Sequence, residues 1–104
     1  VTSERLRALE ALLAQDPGND FARYGLAMEW AKAGQWERAA AEFRILLERN
    51  PDYAAAYYQA GQVLERLGRI EEARQVYRKG IEVHTRQGNR HAREEIQAAL
   101  DRLD

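Results

Sequence analysis

Cysteine is absent from the 104 residues, serine occurs once, at Ser3, and proline occurs only at Pro17 and Pro51. Without cysteine there is no disulfide framework, no thiol nucleophile and no thiolate metal ligand. A single serine near the start of the chain is better placed to cap a helix than to act as a histidine-activated nucleophile. His84 and His91 fall on either side of Gly88 and have no recognisable carboxylate partner, so neither a metal site nor a general base is expected from them. The adjacent carboxylates Glu71 and Glu72, and likewise Glu94 and Glu95, diverge by about 100° on a helix and read as solvated faces. No apolar run reaches the roughly 18 residues of a membrane span, and no basic segment followed by an apolar one opens the chain. Nor does either sign of charge dominate: 16 basic residues stand against 17 acidic ones, so no global field draws in nucleic acid or an anionic membrane. The glycines are scattered as helix ends and packing contacts, which leaves no phosphate-binding loop. These absences point away from an enzyme, a cofactor, a metal, a nucleic-acid partner and membrane insertion. The expected molecule is soluble and cytoplasmic, with a protein or a peptide as its partner.

Apolar residues at helical spacing dominate what is present, and nothing alternates with a period of two. Leu6, Leu9, Leu12 and Leu13 mark a first helix over 3–15 that stops at Asp16, Pro17 and Gly18. A second is expected from an Asp20 cap to Ala33, closed by Gly34, and a third from Trp36 to Arg49, closed by Asn50 and Pro51. Asp52 is expected to cap a fourth that runs from Tyr53 to Leu67 and ends at Gly68. A fifth follows from about Ile70 to Arg86, with Gly88 as its terminator, and a sixth begins at an Asn89 cap. Turns this short make neighbouring helices antiparallel.

The same residue types return every 34 positions: Gly34 as Gly68, Ala39 as Ala73, Tyr24 as Tyr58, Phe43 as Tyr77 and, backwards, Pro51 as Pro17. A period of this length is the mark of stacked helical hairpins. In one unit Arg23, Leu26, Ala27, Trp30, Ala39, Phe43 and Pro51 stand where the next has Tyr57, Ala60, Gly61, Leu64, Ala73, Tyr77 and Thr85. This pattern resembles the tetratricopeptide repeat, with departures at Arg23, where a bulky apolar residue is usual, and at Thr85, where a proline is missing and the helix can run on. The resemblance implies an all-α fold, a right-handed stack of antiparallel hairpins with about six helices. It divides the chain into a degenerate helix at 1–19, repeats at 20–53 and 54–87, and a capping helix at 88–104. Gly80, where the earlier repeat has Leu46, is expected to give helix six room to cross closely.

In the resembled family the first helix of each repeat lines a concave groove. Carried over by position, that groove shows Phe21, Tyr24, Gly25 and Met28, then Ala55, Tyr58, Gln59 and Gln62, then Asn89, Ala92, Arg93 and Ile96. Some members grip a terminal carboxylate with lysines, asparagines and an arginine; here those places hold Tyr24, Met28, Gln59, Asn89 and Arg93, and only Arg93 agrees in type. No such clamp is expected. The remaining surface of aromatic, thioether and amide groups suits an extended peptide or an amphipathic helix. The alternative is homotypic pairing of terminal helices through Leu6, Leu9 and Leu13 or through Ile96 and Leu103, in which case the chain is a homodimer rather than the monomer otherwise expected. Arg86, Arg90 and Arg93 with His84 and His91 nearby form a local basic run, compensated by Glu82, Glu94 and Glu95.

Overall fold

The computed structural model describes residues 3–104; the first two positions of the 1–19 segment lie outside the described residues. Six helices follow one another: α1 (Glu4–Gln15), α2 (Asp20–Lys32), α3 (Trp36–Arg49), α4 (Ala55–Arg66), α5 (Ile70–Gln87) and α6 (Arg90–Leu103). Each packs against the next, and α2 also touches α4, so the chain builds a helical-hairpin solenoid of 37 × 28 × 20 Å. Among the described residues there is no strand.

The 34-residue period is visible in the backbone itself. Helix α1 ends at Asp16 with φ −140° and α3 at Asn50 with φ −139°, and in each turn the side-chain oxygen accepts from the amide two residues on, that of Gly18 and Asp52, both at 3.2 Å. Helices α2 and α4 end with Gly34 and Gly68 at φ +76° and +74°, a left-handed conformation that only glycine adopts without strain, and Gly88 closes α5 likewise at +76°. With no proline at Thr85, α5 extends to 18 residues, the longest helix of the molecule.

Three expectations about caps and contacts are corrected. Asn19, not Asp20, caps α2: its oxygen accepts from the Ala22 amide at 3.0 Å, while Asp20 sits in the first turn and accepts from the Asn50 amide nitrogen. Asp52 does not cap α4, which starts only at Ala55 after a turn; Asp52 is drawn instead to Arg86 at 2.8 Å. The close approach at Gly80 comes chiefly from α4: a Cβ there would lie 2.6 Å from Tyr57 Cβ and 3.1 Å from Ile96 Cδ1 of α6. Ser3 does cap α1, accepting from Leu6, and Asn89 caps α6, accepting from Ala92.

The core is a chain of three apolar clusters along the solenoid. Leu6, Leu9 and Leu13 of α1 meet Ala22 and Leu26 of α2; Phe43 and Leu46 of α3 sit among Ala27, Ala39, Ala56 and Ala60; Tyr77 and Val83 of α5 meet Leu64, Ile96 and Leu100. The leucines offered above for homotypic pairing are therefore inside the fold. Leu6, Leu9 and Leu13 are buried against α2, and Ile96 and Leu103 pack on the cluster built around α5. Leu12, which was not among them, is 47% exposed where its counterpart Leu46 is buried, because α3 has a helix on each side and α1 has only α2. Arg23 replaces the usual bulky apolar residue with an ion pair. Its guanidinium donates to Glu42 at 2.6 Å and to the Pro17 carbonyl at 3.1 Å.

Candidate functional site

The carried-over groove residues lie on α2, α4 and the start of α6, at spacings that put each set on one side of its helix. Phe21, in the first turn of α2, is 74% exposed, the most exposed large apolar side chain described. Tyr24 is half-buried, with its ring edge-on to Phe43 at 6.1 Å and tilted against Tyr53 at 5.5 Å. Met28 is half-buried against the cluster around Phe43. Tyr58 and Gln59 are half-buried on α4, and the Tyr58 ring lies 6.4 Å from that of Tyr77.

Two groove positions have internal commitments. The Gln62 amide donates to the Tyr77 hydroxyl at 2.7 Å, and that hydroxyl donates in turn to Glu65. Asn89 uses one lone pair of its side-chain oxygen as the α6 cap, which fixes the side chain and turns its amide nitrogen away from the Ala92 amide. Arg93 is half-buried at a small recess beside His84, Thr85, Gly88 and Arg90, while Arg90 pairs with Glu94 at 3.2 Å. His84 is buried, and its Nε2 donates to the Ala54 carbonyl at 3.1 Å, tying α5 to the start of α4. The basic run is thus divided: Arg86 is held by Asp52, Arg90 by Glu94, and His84 points inward. Among the described residues no group of three or more histidine, aspartate or glutamate side chains could hold a metal ion.

Tyr53, Glu65 and the Tyr77 hydroxyl belong to this region and were not singled out from sequence. Tyr53 lies in a turn, where helical spacing carries no information. The replacement of Phe43 by Tyr77 one repeat on was a usable signal, since a buried phenol needs a polar partner. Burial raises the Tyr77 hydroxyl well above the ordinary tyrosine range, and Glu65 adds to this. Burial likewise raises Tyr24, with Tyr53 as the second cause, Tyr53, with Asp20 second, and Tyr57, with Asp52 second. All four hold their protons in the fold at a pH where the unfolded chain has begun to lose them. The unfolded state then binds fewer protons, so stability is intact below a pH of about 10 and falls above it. We expect helical ellipticity to be lost in step with the rise of their tyrosinate absorbance above that pH; ionisation of these four in the ordinary tyrosine range while the helices persist would contradict the raised values.

A second concavity lies on the other side of α4. It is a cleft of about 520 Å³ between α3 and α5, floored by Ala60 and Leu64 and walled by Ala40, Leu47 and Val76. Nothing in the sequence marked it, because it is formed by two helices that are not neighbours in the chain.

Alternating helices that present one side of α2, α4 and α6, with close-packed hairpins behind, define a class of helical-repeat interaction scaffolds. The chain belongs to the tetratricopeptide repeat family: the family's model matches residues 29–87. It is 30% identical to the TPR repeat-containing protein PA0015 of Pseudomonas aeruginosa over 95% of this chain and 94% of that one. A tetratricopeptide repeat domain protein from Salinibacter ruber, solved in solution, superposes with a TM-score of 0.79 at 39% identity, covering 86% of this chain and 90% of the other. Protein BPP2914 from Bordetella parapertussis gives 0.82 at 29% identity over 99% and 89%. The first repeat domain of Spaghetti (RPAP3), solved with the HSP90 peptide SRMEEVD, shares the fold at 0.74 and 21% identity over 92% and 79%. The fold is that of a protein-interaction module, generally non-catalytic. No helix among the described residues is long and apolar enough to cross a membrane.

Proposed function

We propose that this chain is a non-catalytic module that binds a peptide or a helical segment of another protein in the groove lined by α2, α4 and the start of α6. The observation that carries the reading is Phe21, 74% exposed on the same side of α2 as the half-buried Tyr24 and Met28. An aromatic left in water beside anchored aromatics is the composition of a binding hot spot. The related RPAP3 domain, solved with a bound peptide, supports this use of the fold. The ligand differs, however. With Tyr24 and Met28 in place of the clamp's first lysine and asparagine, the groove offers apolar and amide contacts rather than a seat for a terminal carboxylate, and Arg93 supplies one cation for an acidic side chain at the rim.

So short a groove sits at the low end of specific interfaces, about 1,200 Å² in total, and micromolar binding is the expected scale. A peptide selected from a display library against the whole chain provides the probe for calorimetry. Tyr58→Ala is expected to weaken its binding about thirtyfold with helical content unchanged, since one packed tyrosine carries about 2 kcal/mol. Arg93→Ala is expected to act mainly through association rate and salt dependence. Unchanged affinity in Tyr58→Ala would move the binding surface elsewhere.

A further inference from the structure

We infer that the cleft between α3 and α5 is a self-association surface, in which helix α5 of a second copy lies antiparallel to α3 and fills the cleft, each copy doing this to the other about a two-fold axis. This inference is independent of the peptide groove, which lies on the opposite side of α4 and stays open in such a dimer. The covering of the terminal leucines removed one route to a dimer; the cleft is a different surface, and its charges decide its occupant.

Among the described residues six charged side chains line the cleft: Glu37, Arg44 and Glu48 on α3, Arg69 at the N-cap of α5, and Glu72 and Lys79 on α5. The signs read minus, plus, minus on α3 and plus, minus, plus on α5. Within the chain the two helices run parallel, because each is antiparallel to α4. Paired in that direction, the charges fall out of step: successive residues are seven and four apart on α3 but three and seven apart on α5. Across the cleft only the first pair closes, Glu37 with Arg69 at 3.6 Å; Arg69 also holds Glu72 at 2.6 Å and Lys79 pairs with Glu82 at 3.5 Å, while among the described residues Arg44 and Glu48 have no ion pair, although the Arg44 charge reaches Glu72. Reversed, the spacings become seven and four against seven and three. Glu37 then faces Lys79, Arg44 faces Glu72 and Glu48 faces Arg69, in step to about 1.5 Å along the axis. Within one chain the cleft leaves Arg44 and Glu48 without an ion pair; an antiparallel copy of α5 brings Glu72 and Arg69 opposite them.

The apolar part of the cleft agrees. Val76 lies between Glu72 and Lys79 on the same stripe of α5, and in the reversed register it falls opposite Ala40 and Ala41, between Glu37 and Arg44. Small residues there admit a helix closely, in the manner of a ridge entering a groove. Val76 and Leu47 are only half-buried in the single chain, so the cleft keeps apolar surface to cover. The arrangement is isologous, since α5 of each copy enters the cleft of the other, and both halves of the contact form together.

Sedimentation of the full chain tests this. Wild type is expected to reach twice the chain mass reversibly at about 100 μM, and to weaken as salt screens the pairs. Arg44→Glu alone and Glu72→Arg alone are each expected to sediment as single chains, with at least a tenfold weaker association, because like charges then face each other twice. Mixed in equal amounts, the two variants are expected to form a heterodimer, since one carries acids at both positions and the other bases, and opposite signs meet only between chains. Restored mass in the mixture also shows that both variants are folded. A wild type that remains a single chain, single variants that still dimerise, or a mixture that does not associate would each overturn the inference.

Discussion

Alanine at position 61 is expected to lower stability by about 3 kcal/mol, the upper end of overpacking costs, and the melting temperature by about 10–20 °C. A Cβ built on Gly61 would lie 2.0 Å from Cε1 of Tyr77 and within 2.6 Å of two more ring atoms. The ring cannot step aside. Tyr77 is completely buried and its hydroxyl is held by Gln62 and Glu65, so a shift breaks two hydrogen bonds as well as the packing. Thermal denaturation followed by circular dichroism reads the effect. Adding Tyr77→Leu to Gly61→Ala should cost less than the sum of the separate substitutions, because the smaller side chain makes room for the methyl. Strict additivity would mean that the contact between α4 and α5 is looser than the distances require.

Phe43→Ala is expected to cost about 4 kcal/mol, measured by urea denaturation. Phe43 is 1% exposed, and four members of its cluster, Ala27, Ala39, Ala56 and Ala60, are already as small as a side chain can be on a helix without being glycine, while Leu46 and Val63 are themselves buried. The alanines cannot extend into the space it leaves, and Tyr24 is the large side chain beside it, edge-on to the ring at 6.1 Å. Three helices, α2, α3 and α4, meet at this ring, so the cavity closes only if whole helices move, which places the loss toward the upper end of the range for large-to-alanine changes. A loss below about 2 kcal/mol would show that the stack relaxes more freely than close packing of hairpins allows.

The helices were legible because their signals are local. Trp36 to Arg49 carries an apolar period of helical spacing and ends in Asn50 and Pro51, and the observed α3 has those bounds. Caps were less legible where two acceptors adjoin. Asn19 and Asp20 both suit the N-terminus of α2; the choice fell to Asn19 because Asp20 is drawn to Asn50 across the turn, a residue 30 positions away. Of the candidate groove only the helical spacing was legible. The spacing of Tyr24, Met28 and Tyr58 put them on one side of their helices, but nothing local to Gln62 announced its bond to a phenol on the following helix.

What the sequence determined by itself is the repeat: a period of 34 residues with small residues at Ala27, Gly61, Ala39 and Ala73, which makes hairpins that must stack to cover their apolar sides. That follows from composition at fixed spacing and needs no coordinates. Tertiary structure alone decided which repeated positions are equivalent in fact. Leu12 and Leu46 share a register, yet one is exposed and the other buried, because burial depends on the neighbours of a helix and not on its own sequence. The cleft between α3 and α5 has the same origin. Its walls meet at Glu37 and Arg69, 32 residues apart in the chain, and the register of Glu37, Arg44 and Glu48 against Arg69, Glu72 and Lys79 has meaning only once α4 has set the two helices side by side.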